Sequence, residues 1–313
     1  MATTFNSDMV IYDPQVQTAY LERLQDNLEV FNGASNGALV LRSEAIPGDF
    51  DKSSFFTVPG GHSHRDVNSS AAATAQKIGT GENIAVKTPW KFGPYETTEE
   101  AFKRIGASPE QFSQLLGQWQ ADKFMEYSIA MAFAALDAAI GEVAAMNVSG
   151  VLATEGKKTL TKVLRTFGDK SSRVAMLGMS SDTYFDYVDE AIDNKVFEEA
   201  GTVIYGGVPG TMGKPVLVSD EISDATVYAL QPGAVQVVES QAPGGRSYDI
   251  NGNENLMVGY QAEGAFNLEV LGYSYTGSGA NPDATAIGAG TNWTKTAQSN
   301  KMTAGAILTL TAS

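Results

Sequence analysis

The stretch SPEQFSQLLGQWQADKFMEYSIAMAFAALDAAIGEVAAM, residues 108–146, decides the fold. Ser108 is placed to cap, Pro109 suits the first helical position, and Gln111 can reach back to complete a capping box, so a helix starts here. Phe112, Leu115, Leu116, Trp119, Lys123, Tyr127, Ala130, Met131, Ala134 and Ala138 follow at spacings of three and four, with no proline before about Met146. At about 1.5 Å per residue such a helix reaches roughly 55 Å, far beyond the usual three turns. It is a spine for the rest of the chain. Its second half, Ile129 to Ala145, is rich in alanine and admits a sheet or another backbone on more than one side. Gly117 and Gly141 are its weak points.

Toward the amino terminus, a short apolar tip, Met9-Val10-Ile11-Tyr12, precedes Asp13-Pro14, which opens a helix. Val16, Tyr20, Leu21, Leu24 and Leu28 give that helix a single apolar stripe, ending at Asn32-Gly33. A short strand follows around Gly37 to Leu41, and Pro47-Gly48-Asp49 makes a turn. Phe55-Phe56-Thr57-Val58 and Ile84-Ala85-Val86-Lys87 then read as the two arms of a long hairpin. Between them the run Val67 to Gly81 is too poor in apolar bulk to build a core, so the hairpin needs a partner surface.

Beyond the spine the elements alternate. Helices are expected near Lys157 to Thr166 and at Asp182 to Ile192, the second capped by Ser180 or Ser181. Strands are expected at Arg173 to Leu177, Thr202 to Tyr205, Pro215 to Ser219 and Val227 to Leu230, with a flexible loop at Gly206 to Gly210. Gly233 to Ser240, Leu256 to Tyr260 and Phe266 to Tyr275 read as long antiparallel strands. A glycine-rich stretch, Thr276 to Gly290, precedes a last strand at Ala306 to Leu310. The class is α+β.

Composition narrows the function. With 313 residues there is ample chain for a real core. Lys and Arg total 21 against 36 Asp and Glu, and the net charge of -15 excludes a chain that wraps nucleic acid through its phosphates. The absence of cysteine removes disulfides, thiolate metal sites and thiol catalysis. No basic segment followed by an apolar one opens the chain, and no run approaches 18 apolar residues, so no membrane role is expected.

The search for chemistry yields no catalytic, metal or cofactor residues. Only two histidines exist, His62 and His64, with Asp66 the one nearby ligand type, and an exposed loop is the better reading. Gly210 to Pro215 has Val208 where a phosphate loop requires its first glycine, and Pro215 replaces the Ser or Thr that would hold Mg²⁺. Gly272-Tyr273-Ser274-Tyr275-Thr276 lacks the closing glycine of a nucleophile elbow. The carboxylates Glu99-Glu100, Glu198-Glu199, and Asp182, Asp186, Asp189 and Glu190 decorate solvent faces. On the last helix they lie opposite Tyr184, Tyr187, Val188 and Ile192.

The order of parts carries more than any motif: arm, long hairpin, capped spine, α/β lobe, long strands. This order resembles the major capsid protein of tailed bacteriophages, the Hong Kong 97 (HK-97) fold. The phrases Ser171-Ser172-Arg173-Val174-Ala175-Met176-Leu177-Gly178-Met179-Ser180 and Gly213 to Asp220 are similar to shell-protein A-domains. Asn281-Pro282, Asn292-Trp293 and Lys301 look like one subset of phage coat proteins. The resemblance implies an N-terminal arm at 1–50, an E-loop at 51–96, a P-domain with spine helix at 97–150, an A-domain at 151–232, P-domain return strands at 233–275 and a C-terminal Gly/Thr-rich segment at 276–313.

It further implies a structural coat subunit without enzymatic activity, forming hexamers and pentamers in an icosahedral head around double-stranded DNA that it does not bind specifically. Implied partners are a separate scaffolding protein, because the arm reaches the spine too soon for a fused one, a portal, and a decoration or cement protein. The location implied is the virion, with assembly in the host cytoplasm. Some relatives cross-link through Lys and Asn; Lys52, Lys77, Lys87 and Lys91 are available in the hairpin, but surface lysines there read as solubilising. An uncovered hairpin and an arm with one apolar stripe need a neighbouring copy. The expected inter-subunit contacts are Val16, Tyr20 and Leu24 of the arm and the rings Phe55, Phe56, Trp90, Phe92 and Tyr95; Trp90 and Phe92 could equally pack inside their own subunit. Two other readings are a nanocompartment shell of encapsulin type, with the same fold, and a secreted β-rich adhesin or glycan-binding module, which predicts a separately folding carboxyl end.

Overall fold

The computed structural model describes residues 11–57, 60–62, 64–72, 74–105, 109–193, 195–199, 202–205 and 214–311. Ser108, Met9, Val10, Val58 and the expected loop at 206–210 lie outside the described residues. The chain begins with α1 (Asp13–Ala34), whose first turn holds Pro14, and continues through β1 (Leu39–Ser43), β2 (Phe50–Thr57) and β3 (Gly79–Thr98). After α2 (Glu99–Ile105) comes the spine α3 (Pro109–Gly141), 33 residues long. Then follow β4 (Asn147–Gly150), α4 (Leu152–Glu155), α5 (Lys158–Arg165), β5 (Met176–Met179), α6 (Ser181–Asp193), β6 (Lys195–Glu199), β7 (Thr202–Tyr205), β8 (Val216–Val218) and β9 (Thr226–Leu230). The carboxyl part supplies β10 (Val235–Ile250), β11 (Met257–Val270), β12 (Tyr273–Tyr275), α7 (Ala284–Ile287), β13 (Trp293–Lys295) and β14 (Gly305–Leu310). Ser180 caps α6 as expected, its hydroxyl accepting from the Thr183 amide at 3.3 Å.

Two five-stranded sheets flank the spine. The first runs β1-β10-β11-β3-β2, with β1 parallel to β10 and the other pairs antiparallel. The second runs β4-β14-β9-β5-β8. Phe124 of α3 stacks on Trp90 and Phe266 of the first sheet, and Phe133 on Tyr228 of the second, with centroids 5.3, 6.2 and 5.3 Å apart. In the alanine-rich half of the spine, Ala132, Ala135 and Ala139 are buried. Among the described residues the spine alone is long and apolar enough to cross a membrane by length and composition, yet it is mostly buried inside the subunit.

β11 joins two stretches that read as separate strands, and β10 runs ten residues past Ser240 to Ile250. Cross-strand rings explain why glycines do not break these strands. Phe55 lies opposite Gly81, Trp90 opposite Gly264, and Tyr248 opposite Gly259. In each pair the ring occupies the space where a Cβ would stand, at 2.5, 2.6 and 2.3 Å. The ring covers the backbone that glycine leaves bare. The carboxyl segment does not fold apart: β14 sits inside the second sheet, parallel to β4 and antiparallel to β9. A separately folding carboxyl end, which the adhesin reading requires, is thereby excluded.

The arm corrects another expectation. Val16, Tyr20 and Leu24, expected to meet a neighbouring copy, are buried in the subunit's own core, where α1 lies along α3. The Tyr12 amide donates to Ser113 Oγ at 3.0 Å, and Arg23 Nε meets Asp122 Oδ1 at 2.9 Å. An apolar stripe demands a cover, and here the cover is the chain's own spine.

Tyr20 also donates its hydroxyl to Glu239 Oε1 at 3.1 Å inside this interface. Burial, ahead of the nearby Glu239 charge, pushes the Tyr20 phenol upward, so it remains a donor. Burial likewise raises the Glu239 carboxyl above its ordinary range, with hydrogen bonds from Tyr20 and Ser43 opposing the shift. A raised folded pKa gives a contribution that is full below the unfolded value of about 4.3 and is lost as pH rises through the folded value. Glu239→Gln keeps an acceptor for Tyr20 and removes that loss. We expect its melting temperature to match the parent near pH 4.5 and to exceed it by about 2 °C at pH 8, the effect of about 1 kcal/mol in a chain this large. A difference independent of pH would show that the carboxyl does not titrate in this range.

Candidate assembly surface

On the face of the first sheet that meets the spine, Phe92, Tyr95 and Trp119 form an aromatic cluster. Centroids are 4.8 Å apart for Phe92 and Tyr95, 5.5 Å for Phe92 and Trp119, and 5.1 Å for Tyr95 and Trp119. Residues three apart in a plain strand point to opposite faces. Here the register slips between Tyr260↔Tyr95 and Ala262↔Phe92, so one extra residue on β3 returns both rings to the same face. The bulge falls at Gly93, with φ +85, where a Cβ would stand 2.8 Å from the Tyr260 carbonyl. Only glycine takes that backbone without strain.

Beside the cluster, a groove of about 490 Å³ opens between the first half of α3, β3 and β11, lined by Ile11, Tyr95, Phe112, Leu115, Trp119 and Val258. Leu115 is 63% exposed and Trp119 42%, high for large apolar side chains on a spine. Glu96 and Asp122 stand at its border. Partial burial pushes the Asp122 carboxyl up, but hydrogen bonds from Arg23 and Asn27 outweigh it and hold the group below its usual range.

The outer end of the hairpin of β2 and β3 has no interior. Phe56 is 77% exposed, Val67 and Ile78 are nearly as bare, and every described residue from 60 to 78 is exposed. Phe55 is half covered by its place over Gly81. Of the residues expected between subunits, Phe56 and Tyr95 remain open to solvent and Phe55 partly so, whereas Trp90 and Phe92 join Val16, Tyr20 and Leu24 inside the subunit. Leu115 and Trp119 keep the spine's helical spacing yet lie open to solvent; such spacing locates an apolar stripe but does not tell which members the chain itself covers.

His62, His64 and Asp66 are all exposed, and among the described residues no cluster of His, Cys, Asp or Glu has metal-binding geometry. Ser274 accepts a hydrogen bond from the Ile84 amide at 3.0 Å, tying β12 to the hairpin strand. Asp182, Asp186 and Asp189 are exposed on α6 while Tyr187 is buried, as the pattern required. Side chains of Glu198 and Glu199 lie outside the described residues.

Solved structures share this architecture at low identity. A chain of Microbacterium phage Oxtober96 matches with a TM-score of 0.56 at 10% identity, covering 87% of this chain and 89% of that one. A chain of Mycobacterium phage Cain matches at 0.54 and 12% identity over 90% of both. The capsid of the native GTA particle matches at 0.51 and 14%, covering 86% of this chain and 91% of that one. The fold is the HK-97-like fold of phage capsid subunits, as the order of parts implied. Residues 8–307 match the family model of the Gp13-like major capsid proteins, described as major capsid protein 13-like, and the chain belongs to that family. No curated protein sequence matches the chain. It is a coat protein with a structural, non-enzymatic role, located in the virion and acting in capsid oligomers.

Proposed function

We propose that copies of this chain close into an icosahedral head of hexamers and pentamers around double-stranded DNA, each hairpin tip lying in the groove of an adjacent copy. One observation carries the tip-to-groove contact. Phe56 pairs with Thr80 near the start of β3, and Tyr95 stands near its end. At about 3.3 Å per residue the strand separates them by roughly 50 Å. A tip held that far away on a continuous strand does not fill its own groove, and two uncovered apolar surfaces on one molecule are matched by a second copy. On this reading residues 1–50 serve as an arm folded in cis, 51–96 as the E-loop, 97–150 with 233–275 as the P-domain, and 151–232 as the A-domain, completed by β14 from the segment 276–313.

The net charge of -15 suits a container that lets packed DNA leave, since a basic lining would retain it by counterion release. Assembly takes place in the host cytoplasm with a separate scaffolding protein and a portal, and a decoration or cement protein is a further partner. Expression with and without the neighbouring gene products, followed by negative-stain microscopy, tests the proposal. Closed particles are expected in at least one condition; uniform small monomers in all of them would refute it.

A further inference from the structure

The second sheet carries opposite charge at its two ends, and strand register assigns each charge to its end. Met179 pairs with Val227 and Thr309 with Thr226, so the end of β5, the start of β9 and the end of β14 lie together. At that end stand Asp182, Asp186 and Asp189 of α6 and Asp220, Glu221 and Asp224 between β8 and β9, all exposed. A basin of about 1000 Å³ opens there, with Glu155 and Glu190 in its wall and Lys158 as its one lysine among the described residues. Glu155 is neutralised by Lys162 at 2.5 Å. Lys123, on the spine, is near Glu221 and is itself paired with Glu126 at 2.6 Å.

The opposite end has the start of β5, the end of β9 and the start of β14, since Met176 and Gly305 both pair with Leu230. Arg173 precedes β5 there, and Lys214 donates to the main-chain carbonyls of Ser172 and Val174. Lys301 lies just ahead of β14, paired with Asp169. Lys170 belongs to the same turn, and α5, which starts at the acidic basin, runs back to place Arg165 toward this end. Arg165 and Arg173 are exposed and have no ion pair among the described residues. A six-residue strand such as β14 separates the two ends by roughly 20 Å, about twice the Debye length at 0.1 M salt, so the two patches do not cancel one another.

We propose that adjacent copies meet head to tail through this sheet, the basic end carrying Arg165, Lys170 and Arg173 facing the acidic end carrying Asp182, Asp186 and Asp189 of the next copy. A contact between two different patches of one chain is heterologous and propagates into a ring when its rotation closes. Opposite charge fixes the direction and register of encounter and repels the reversed arrangement, in which like ends would meet. This inference rests on the shell reading above and adds the polarity of one of its contacts.

Charge reversal tests it. One variant carries Arg165→Glu, Lys170→Glu and Arg173→Glu; a second carries Asp182→Lys, Asp186→Lys and Asp189→Lys; a third carries all six. Circular dichroism and thermal unfolding check folding, and light scattering with microscopy gives the concentration at which particles form. Each triple variant is expected to raise that threshold tenfold or more, and the six-fold variant, whose ends are complementary again with swapped sign, to return within about threefold of the parent. Triple variants that assemble at the parent's threshold, or a six-fold variant no better than they are, overturn the charge pairing alone. A parent that forms no particles in any condition overturns the shell reading and this inference with it. If a triple variant misfolds, the parent's threshold between 50 and 500 mM NaCl decides instead: a rise with salt is expected, and no rise overturns the pairing.

Discussion

Leu115→Asp leaves the subunit folded and raises, on the order of 100-fold, the concentration at which it closes into particles. The side chain is 63% exposed in the single chain, and substitutions at such positions change stability by no more than about 0.5 kcal/mol. On the proposed reading a hairpin tip covers the groove in the assembled state, and an aspartate there would be buried among a lining that has no Lys or Arg and already holds Glu96 and Asp122. Leaving a charge unpaired in an apolar contact costs about 3 kcal/mol or more. On that reading each copy gives one tip and receives one, so the cost would recur at every such contact of the shell. At 1.4 kcal/mol per factor of ten, the threshold for assembly rises on the order of 100-fold. Phe56→Ala is the milder companion from the other side of the contact. It removes a ring worth about 2 kcal/mol when buried and raises the threshold on the order of 30-fold. Sedimentation velocity separates particles from subunits across a concentration series, and unfolding curves for the same samples establish that both variants are folded. Closed particles at the parent's threshold for Leu115→Asp would show that the groove stays open to solvent in the shell.

The parts of the fold that rest on local chemistry were legible. The spine, the arm helix, the hairpin arms and α6 follow from apolar spacing, Pro14 and Pro109, and the Ser180 cap. What covers each face was not legible, because periodicity reports that a stripe is buried and is silent about the partner. Val16, Tyr20 and Leu24 have the pattern that a neighbouring copy would require, and the spine supplies the cover instead. Gly245 and Gly264 hid the length of β10 and β11, since a glycine in a strand reads as a break until the ring that crosses it, Tyr260 or Trp90, is known. β4 and β13 are four and three residues long and carry too little apolar bulk to stand out. At the candidate surface, Gly93-Pro94 within an aromatic run was readable as a bulge. Its consequence, Phe92 and Tyr95 on one face beside Trp119, depends on the partner strand and is set by tertiary structure.

Gly117 turns from a weak point of the spine into the point on which the arm is fitted. A glycine in a helix interior costs about 1 kcal/mol relative to alanine, so Gly117→Ala would stabilise an isolated spine. In the subunit, a Cβ at this position would stand 2.3 Å from the Val16 carbonyl oxygen, 3.0 Å from Ala19 Cβ and 3.1 Å from the Tyr20 amide nitrogen. Two of these three atoms are backbone and cannot swing aside, so α1 itself must move. Moving it loosens Val16, Tyr20 and Leu24, each worth about 1.5–3 kcal/mol when fully buried, and lengthens the Tyr20 hydrogen bond to the buried Glu239 carboxyl. Overpacking of this kind costs about 1–3 kcal/mol even where neighbours adjust, which exceeds the gain in propensity at all but its lower limit. We therefore expect Gly117→Ala to lower stability by about 1 kcal/mol, and Gly117→Val by more, with amide exchange accelerated throughout α1. Gly141→Ala is the control: nothing stands within 4 Å of its Cβ position, so stability should hold or rise by up to about 1 kcal/mol. Denaturant midpoints for the three variants decide the matter, because a Gly117→Ala protein as stable as Gly141→Ala would mean that α1 does not pack backbone to backbone on the spine.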